Sequence, residues 1–423
     1  MKTNEFTKFR IADILIEKLT KRGITVPTKI QEEVIPKIRD GKDVIGQSMT
    51  GTGKTISYLI PVIHDHINKP DTDKTLIIVP TKELAIQIHN EAMYYTEGTE
   101  VHPILLIPGK DLDKQVNDLK KNQSFIIAVP GRLIKLLENG GYKLSNVNKI
   151  ILDEADFLID LGFMKELEKI FAIVKDLKQL MIFSATLSAK TKQVIDLAHN
   201  QKTASRIDPK NTLPEAIDNF YIPITDDTYR EKTLLKLINT INPYLSIIFT
   251  RTKDESEKVF KLLKDNKLNI GLLNGNLQAG QRKKIIHDFR EAKFQYLVAT
   301  DLAGRGLDFD GITHIINFTQ PHNELDYIHR AGRTGRMNNS GIVISICNEL
   351  DEGYLKKYAS NISIELKPIK LTKNGLEDYK GYKGVKPRFN LKEITQKEKI
   401  EDSKKKQVEK DQKHEKERHK RRR

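Results

Sequence analysis

Cysteine and long apolar runs are what this chain of 423 residues has least of. Cys347 is the only cysteine, so an internal disulfide and a cluster of cysteine thiolates around a metal ion are both excluded, and we expect it to pack in a strand. No apolar run approaches the roughly 20 residues that span a bilayer, and Met1–Phe6 lack the apolar core of a secretory signal. We therefore expect a cytosolic protein with no membrane partner and no structural metal.

Composition predicts a soluble globular protein with a polar appendage, since 38% of the residues are hydrophobic and 30% are charged. At roughly 100–200 residues per domain, the length suggests two or three units. The net charge of +15 indicates a polyanionic partner. Residues 381–423 carry 17 Lys and Arg against 8 Asp and Glu, which is +9 of that total. This tail has too few apolar groups to fold alone and is predicted to be disordered; a solubilising role is the simpler alternative.

A glycine-rich turn near the N-terminus is built to hold a triphosphate. It follows a strand signal at Asp43–Gly46 and precedes a helix signal at Ile56–Ile60. Backbone N–H groups of such a loop close around phosphate oxygens, its Lys reaches the β- and γ-phosphates, and its Thr can ligate Mg²⁺. A loop that merely turns the chain is the alternative. The candidate residues are Ser48, Thr50, Gly51, Thr52, Gly53, Lys54 and Thr55; a Gly or Ala usually stands where Ser48 does.

Paired carboxylates follow a second buried-strand signal. Asn148–Leu152 ends in Asp153-Glu154-Ala155-Asp156, and the carboxyl ends of strands are where open α/β sheets bind ligands. Asp153 is predicted to hold Mg²⁺ through water, and Glu154 to take a proton from the attacking water.

Strand and helix signals alternate along most of the chain, which predicts two α/β units with parallel sheets. An amphipathic helix is predicted over residues 8–22 and ends before Gly23. The predicted domains are 1–208, a linker at 209–216, 217–370, and the tail at 371–423, with catalysis in a cleft between the two units. The predicted strands are Asp43–Ile45, Thr75–Val79, Ile104–Ile107, Phe125–Val129, Lys149–Leu152, Leu180–Phe183, Ile217–Ile222, Ser246–Phe249, Ile270–Leu273, Tyr296–Ala299, His314–Asn317 and Ile342–Ile346.

In one-letter code the carboxylate motif reads DEAD, and over roughly residues 6–350 the chain resembles the DEAD-box ATP-dependent RNA helicases of superfamily 2, in particular bacterial members. The resemblance implies two tandem RecA-like domains, an RNA-stimulated ATPase, and ATP and Mg²⁺ as cofactors. It also implies a monomeric core and, through the tail, partners in ribosome assembly, mRNA turnover or cold adaptation.

The resemblance assigns further nucleotide contacts. Gln31 matches the residue that hydrogen-bonds the adenine edge, which favours ATP over GTP. Phe6 matches the aromatic residue that stacks on adenine, and Phe9 is the competing candidate, expected in the core. Gly306 and Asp308 match residues that approach the nucleotide and its ribose.

Two motifs match those that couple ATP hydrolysis to RNA binding in this family. Ser184-Ala185-Thr186 and Asp156 are assigned to coupling, as is His329 of the second unit. Arg333 and Arg336 match arginine fingers; three residues apart, they are expected on one helix face that points at the γ-phosphate. A solvated basic helix face is the alternative.

The RNA contacts that the resemblance implies are mostly hydroxyls, backbone N–H groups and basic side chains, which hold RNA phosphate and 2′-OH groups without reading sequence. They are Pro80, Thr81, Lys82, Gly109, Gly131, Arg132, Thr250, Arg251, Gln278, Arg282 and Thr300. The departures from the family pattern are Lys82 for Arg, Val129 for Thr, Pro108-Gly109-Lys110 for a Gly-Gly pair, Asn274 for His, and Thr319 for Asp.

The sequence thus predicts an ATP-driven enzyme that binds single-stranded RNA across both domains and parts short duplexes or remodels RNA–protein complexes. Two alternatives stay open. One is a translocase on DNA, which needs DNA-stimulated ATPase activity, and the other is a non-enzymatic RNA clamp that works through the basic tail.

Overall fold

The computed structural model describes residues 4–47, 53–68, 74–120, 125–139, 144, 147–184, 192–194, 205–207, 217–304, 309, 311–335, 340–372 and 375–378. These residues form two compact units, one ending at Ile207 and the other beginning at Ile217 in the described part of the chain. None of the described helices combines the length and apolar character that a membrane span requires.

The first unit is a parallel sheet covered by helices. Its strands are β1 (Val44–Gln47), β2 (Lys74–Ile78), β3 (Pro103–Leu106), β4 (Phe125–Ala128), β5 (Val147–Leu152), β6 (Gln179–Ser184) and β7 (Ser205–Ile207). Its helices are α1 (Asp13–Lys21), α2 (Lys29–Arg39), α3 (Lys54–Asn68), α4 (Lys82–Thr96), α5 (Leu112–Lys120), α6 (Pro130–Glu138), α7 (Ala155–Asp160) and α8 (Met164–Ile173). The strand order is β3-β4-β2-β5-β6-β1-β7, and the neighbouring pairs are parallel.

Both faces of this sheet are buried. Successive side chains of a strand point to opposite faces, so each strand contributes to both apolar clusters. In β2, Ile77 packs into one apolar cluster, together with Tyr58 and Phe183. Its neighbours Leu76 and Ile78 pack into the cluster on the other face. A strand buried on both sides therefore reads as an unbroken apolar run, and each fully buried aliphatic side chain contributes about 1.5–3 kcal/mol.

The second unit repeats the architecture. Its strands are β8 (Ile217–Pro223), β9 (Leu245–Thr250), β10 (Ile270–Leu273), β11 (Tyr296–Thr300), β12 (Ile312–Asn317), β13 (Gly341–Cys347), β14 (Leu366–Thr372) and β15 (Gly375–Asp378). Its helices are α9 (Arg230–Thr240), α10 (Lys253–Asp265), α11 (Ala279–Arg290), α12 (Asp301–Gly304), α13 (Glu324–Ala331) and α14 (Glu349–Asn361). The order is β10-β11-β9-β12-β13-β8-β14-β15, and only the β14–β15 pair among these described strands is antiparallel. The two parallel-sheet units confirm the predicted fold class.

The structure corrects two predicted boundaries. The helix predicted over 8–22 is two elements, a short 3₁₀ helix at Glu5–Phe9 and α1, because Arg10 adopts the left-handed conformation with φ 53° and breaks the helical path. The second domain extends past residue 370, since β14 pairs with β8 and then with β15. Cys347, by contrast, ends β13 and is fully buried, as expected.

Candidate functional site

The strand order brings the phosphate loop, the DEAD segment and the coupling motif to one edge of the first sheet. β6 lies between β1 and β5, and all three run parallel. β1 ends at Gln47, just before the phosphate loop, β5 ends at Leu152, just before Asp153, and β6 ends at Ser184. Carboxyl ends of parallel strands are the usual ligand-binding edge of such a sheet, so the fold alone places three distant motifs side by side.

The described part of the phosphate loop consists of Gly53, Lys54 and Thr55; Ser48, Thr50, Gly51 and Thr52 lie outside the described residues. Lys54 begins α3 and is 7% exposed, and among the described groups its Nζ finds no hydrogen-bond partner. Buried polar groups are normally paired. A phosphate oxygen at the start of α3 would supply that partner, and the helix N-terminus favours negative charge. The residues present therefore fit a bound triphosphate.

Gln31 fastens the phosphate loop to the start of α2. Its Oε1 accepts a hydrogen bond from the Thr28 backbone N–H at 2.9 Å, and its Nε2 donates to the Gly53 carbonyl at 3.1 Å. A Cβ at Gly53 would lie 2.4 Å from that Nε2, and the φ of 89° is left-handed. Glycine is thus required at position 53, for its φ and for the close approach of Gln31.

The carboxylates of the DEAD segment are buried, with exposures of 3% for Asp153, 5% for Glu154 and 3% for Asp156. Asp153 Oδ1 accepts from the Glu154 backbone N–H at 2.9 Å, and its Oδ2 accepts from the Tyr58 hydroxyl at 2.8 Å. Glu154 has a φ of 51° and precedes α7. A non-glycine residue in this left-handed conformation costs of order 1–3 kcal/mol. Here the conformation of Glu154 turns the chain sharply at the sheet edge. The Thr55 hydroxyl and the Asp153 carboxylate form an oxygen donor set that suits Mg²⁺.

The ring of Phe6 is in the core of the first unit. Phe6 is 0% exposed, and Phe9, with 9% exposure, packs edge-on against it at 5.8 Å between ring centroids. Stacking on adenine would require Phe6 to become exposed, so both aromatic candidates serve as core residues in this structure.

The coupling residues occupy both units. Ser184 is fully buried at the end of β6 and is paired in register with Gln47 of β1. Asp156 lies in the first turn of α7, where its Oδ1 accepts from the Phe157 backbone N–H at 3.0 Å. His329 lies in α13 and is 4% exposed. Thr186 is outside the described residues.

The RNA candidates of the first unit follow the other strands of the same edge. Pro80 and Thr81 follow β2, Gly109 follows β3, and Gly131 with Arg132 begins α6 after β4. Since β3, β4 and β2 form one side of the sheet and β5, β6 and β1 the other, the strand order separates the RNA candidates from the nucleotide candidates.

Hydrogen bonds orient the side chain of Arg132 in this group. Arg132 donates from Nε to Gln115 Oε1 and from Nη2 to the Lys110 carbonyl, both at 2.7 Å. Gln115 in turn donates to the Ile107 carbonyl at 3.2 Å. At Gly109, with φ 80°, a Cβ would lie 3.5 Å from Lys82 Nζ. The loop after β3 is therefore tied to Arg132, and Gln115 is a residue that the sequence analysis missed.

The RNA candidates of the second unit also gather at one edge. Thr250 ends β9 and Thr300 ends β11, and the two are register partners. Arg251 donates from Nη2 to the Gln320 carbonyl at 3.3 Å. Gln278 precedes α11, and Arg282 within that helix donates to the Ala303 carbonyl at 3.0 Å. Gly306 and Asp308 lie outside the described residues.

The arginine motif differs from the prediction in one respect. α13 ends at Ala331, so Arg333 lies in the turn that follows and not on a helix face; Gly332, the cap residue, ends the helix. Arg333 is 3% exposed and donates from Nε to the His329 carbonyl at 3.2 Å. Arg336 is outside the described residues.

Arg330 is a further residue that the sequence analysis missed. It is 1% exposed, donates from Nη2 to Asp301 Oδ2 at 2.8 Å, and donates from Nη1 to Asn317 Oδ1 at 3.0 Å and to the Thr319 carbonyl at 2.7 Å. Removing one member of such a buried ion pair costs about 3–5 kcal/mol. Arg330 thus fastens α13 to the ends of β11 and β12. A signal was available, since Asp301 follows a predicted strand and complements the charge of Arg330.

Two departures from the family pattern make local hydrogen bonds, and a third leaves a helix cap unfilled among the described residues. Asn274 is 1% exposed and donates to Ser256 Oγ at 3.1 Å. Thr319 donates to Glu255 Oε2 at 2.8 Å. Val129 occupies the N-cap position of α6, where its side chain makes no capping hydrogen bond to the described residues.

Two tandem parallel-sheet units, the first with a phosphate loop and buried carboxylates at its carboxyl edge, define a RecA-like nucleotide-dependent motor. The DEAD/DEAH box helicase profile matches residues 28–194, and the helicase conserved C-terminal domain profile matches residues 229–338. Over 379 residues, the chain is 35% identical to the DEAD-box ATP-dependent RNA helicase CshB of Bacillus cereus. This match covers 88% of the chain and 86% of the relative. CshB of Bacillus subtilis is 32% identical over 376 residues, with 88% and 85% covered.

A solved structure of Saccharomyces cerevisiae Dbp5 bound to RNA and ADP BeF3 is similar, with a TM-score of 0.78 and 25% identity over 86% of this chain and 95% of that one. The chain belongs to the DEAD-box helicase family, and the resemblance drawn from its motifs is confirmed.

Proposed function

We propose that this protein is an RNA-stimulated ATPase that binds single-stranded RNA and locally parts short RNA duplexes or remodels RNA–protein complexes. The main observation behind this proposal is the ammonium group of Lys54, which is buried and has no hydrogen-bond partner among the described residues. It lies at the same sheet edge as the buried carboxylates of Asp153 and Glu154. The relatives named above are ATP-dependent RNA helicases, and the Dbp5 neighbour is bound to RNA and a nucleotide analogue.

The residues of the first unit divide the chemical work. Lys54 binds phosphate oxygens, and Thr55 with Asp153 holds Mg²⁺. When bound, the ion neutralises the charge that develops on the transferred phosphoryl group. Glu154, which the turn after β5 keeps at the sheet edge, accepts the proton of the attacking water. Arg333, which belongs to the second unit, is proposed on the family resemblance to supply positive charge to the γ-phosphate.

RNA binding is proposed to use backbone groups and hydroxyls at the two sheet edges. Thr250 and Thr300 end β9 and β11, and Thr81 and Arg132 lie within four residues of the ends of β2 and β4. Hydroxyls, backbone groups and basic side chains at strand ends suit phosphate and 2′-OH contacts. The protein should hold RNA by phosphate and 2′-OH groups, with little sequence preference.

ATPase rates with single-stranded RNA, with DNA of the same sequence and without nucleic acid test this proposal. We expect stimulation by RNA, little by DNA, and strand release from a short RNA duplex only with ATP. Stimulation by DNA would indicate a DNA translocase. RNA binding without ATPase activity would indicate a clamp. Glu154→Gln serves as the control that keeps binding without turnover.

The tail at 381–423 is proposed to add RNA affinity without sequence preference, because its +9 charge releases counterions from the strand. Neutralising one phosphate of a single strand changes the log–log salt slope by about −0.7, so engaging half of the net charge adds roughly −3. Deleting residues 381–423 should weaken RNA binding and flatten its salt dependence, while ATPase activity at saturating RNA is retained. Unchanged affinity and slope would assign the tail to solubility or to a protein partner.

A further inference from the structure

Tyr58 is a buried hydroxyl group at the proposed Mg²⁺ site to which the sequence analysis gave no role. The side chain is 0% exposed, and its hydroxyl donates to Asp153 Oδ2 at 2.8 Å. The phenol thus contacts one of the two residues that are proposed to hold the ion.

The position of Tyr58 follows from the strand order. Tyr58 lies in the second turn of α3, which follows β1, while Asp153 follows β5. Because β6 lies between β1 and β5, the hydroxyl of Tyr58 contacts a residue that follows a strand two places away from β1 in the sheet.

The intervening strand supports the phenol ring. The rings of Tyr58 and Phe183 of β6 are 5.0 Å apart between centroids. Phe183 in turn needs a glycine opposite it on β1, since a Cβ at Gly46 would lie 2.8 Å from its ring. Phe183, packed against Gly46, therefore contacts the ring whose hydroxyl lies at Asp153.

This contact completes the fixation of the Asp153 carboxylate. The Glu154 backbone N–H already holds Oδ1 at 2.9 Å, and Tyr58 holds Oδ2, so both oxygens have a donor and rotation of the carboxylate is blocked. Each oxygen keeps a second lone pair for an ion or its water. Burial and the charge of Asp153 raise the pKa of Tyr58 well above its usual value, so the hydroxyl remains a donor at neutral pH.

We propose that Tyr58 is a positioning residue for the Mg²⁺ site, which sets the orientation of Asp153 through its hydroxyl. This inference rests on the proposed function, in which Asp153 and Thr55 hold the ion. Hydrogen-bond partners behind a metal ligand typically contribute 10–100-fold to metal affinity. The alternative is that the hydroxyl only satisfies a buried carboxylate and supports folding.

The test compares Tyr58→Phe with Tyr221→Phe in the full-length protein. Tyr221 of β8 donates to Glu352 Oε1 at 2.9 Å and is 6% exposed, so the control also removes a tyrosine–carboxylate hydrogen bond, in the second unit. Binding of a fluorescent non-hydrolysable ATP analogue is measured against Mg²⁺ concentration and again in EDTA, and thermal unfolding is followed without nucleotide.

We expect Tyr58→Phe to raise the half-saturating Mg²⁺ concentration about 10-fold, with affinity in EDTA unchanged, and Tyr221→Phe to leave both quantities at the wild-type value. In an Asp153→Ala background, adding Tyr58→Phe should have no further effect on Mg²⁺ dependence, because Tyr58 acts through that carboxylate. A wild-type Mg²⁺ dependence in Tyr58→Phe, or an undiminished effect in the Asp153→Ala background, would overturn the inference alone. Wild-type protein that binds no nucleotide would instead overturn the proposed function.

Discussion

Replacing Gln31 by Met separates two roles that one amide performs. In the structure this amide uses one of its two donors on the Gly53 carbonyl and one of its two acceptor sites on the Thr28 N–H. One donor and one acceptor remain, and these match N7 and the N6 amino group of adenine. Gln31 can therefore read the base without releasing the loop. Met keeps the volume and removes all four interactions.

Loss of base recognition and loss of the loop hydrogen bond should change nucleotide affinity by different amounts. A two-point contact to a base is worth about 1–3 kcal/mol of discrimination, which is roughly 5–150-fold between ATP and GTP. The Gly53 bond contributes about 0.5–1.5 kcal/mol, so if nucleotide binds only the loop conformation that this bond holds, its loss weakens both nucleotides by at most roughly 2–12-fold. Gln31→Met should thus bring the ATP-to-GTP affinity ratio close to one and also lower GTP affinity.

Competition of ATP and GTP against a fluorescent nucleotide measures both effects. The ratio of the two affinities does not depend on the folded fraction of the sample. Gln179→Met is the matched control, because Gln179 is 1% exposed and donates to the Ile38 and Lys42 carbonyls at 3.0 and 2.8 Å, at the opposite edge of the same sheet. If Gln31→Met keeps its preference for ATP, Gln31 does not read adenine. If GTP affinity is unchanged, the Gly53 bond does not shape the loop.

Three further predictions concern single residues. Glu154→Gln should retain ATP and RNA binding and lose about 10²–10⁴-fold in hydrolysis, measured by phosphate release, because an amide cannot accept the proton. Arg333→Ala should lose most RNA-stimulated hydrolysis and keep nucleotide affinity, since arginine fingers contribute ~10³–10⁵ in rate elsewhere; wild-type stimulation would remove Arg333 from this role. Val129→Thr should stabilise the protein by about 1 kcal/mol and raise Tm by roughly 2–4 °C in calorimetry, because threonine adds the missing cap of α6. A lower Tm would show that burying the hydroxyl outweighs the cap.

Most strands were predictable from the sequence, including the edge strands β3 and β10, whereas β7, β14 and β15 were not. Phe125–Ala128 is wholly apolar, and its predicted bounds differ by one residue from those of β4. β14 contains Lys367, Pro368 and Lys370, which interrupt the apolar pattern, yet it pairs with β8 through its first residues and with β15 through its last. Pairing that changes neighbour along one strand has no periodic signature.

For the candidate site too, the sequence predicted local motifs but not contacts between residues that are far apart in the chain. Contiguous motifs such as the phosphate loop and the DEAD segment carry their chemistry within a few residues, so their residue types can be interpreted directly. The contact of Tyr58 with Asp153 joins positions 95 residues apart, and that of Arg330 with Asp301 joins positions 29 apart. Such pairs depend on strand order and helix position, which residue patterns leave undetermined.

The proposed nucleotide and RNA sites of the first unit lie on either side of the neighbouring strands β2 and β5. The Asp153 backbone N–H donates to the Ile78 carbonyl at 3.0 Å, and Ile78 is the last residue of β2, two residues before Pro80. Asp153 therefore touches Tyr58 on the nucleotide side through its carboxylate and the RNA side through its backbone. Any preference of the DEAD segment for one backbone position when nucleotide binds must act on β2, which ends at Ile78, three residues before Thr81. By thermodynamic linkage, RNA bound there must change nucleotide affinity by the same factor, which makes the end of β5 the shortest physical connection between the two proposed sites of this unit.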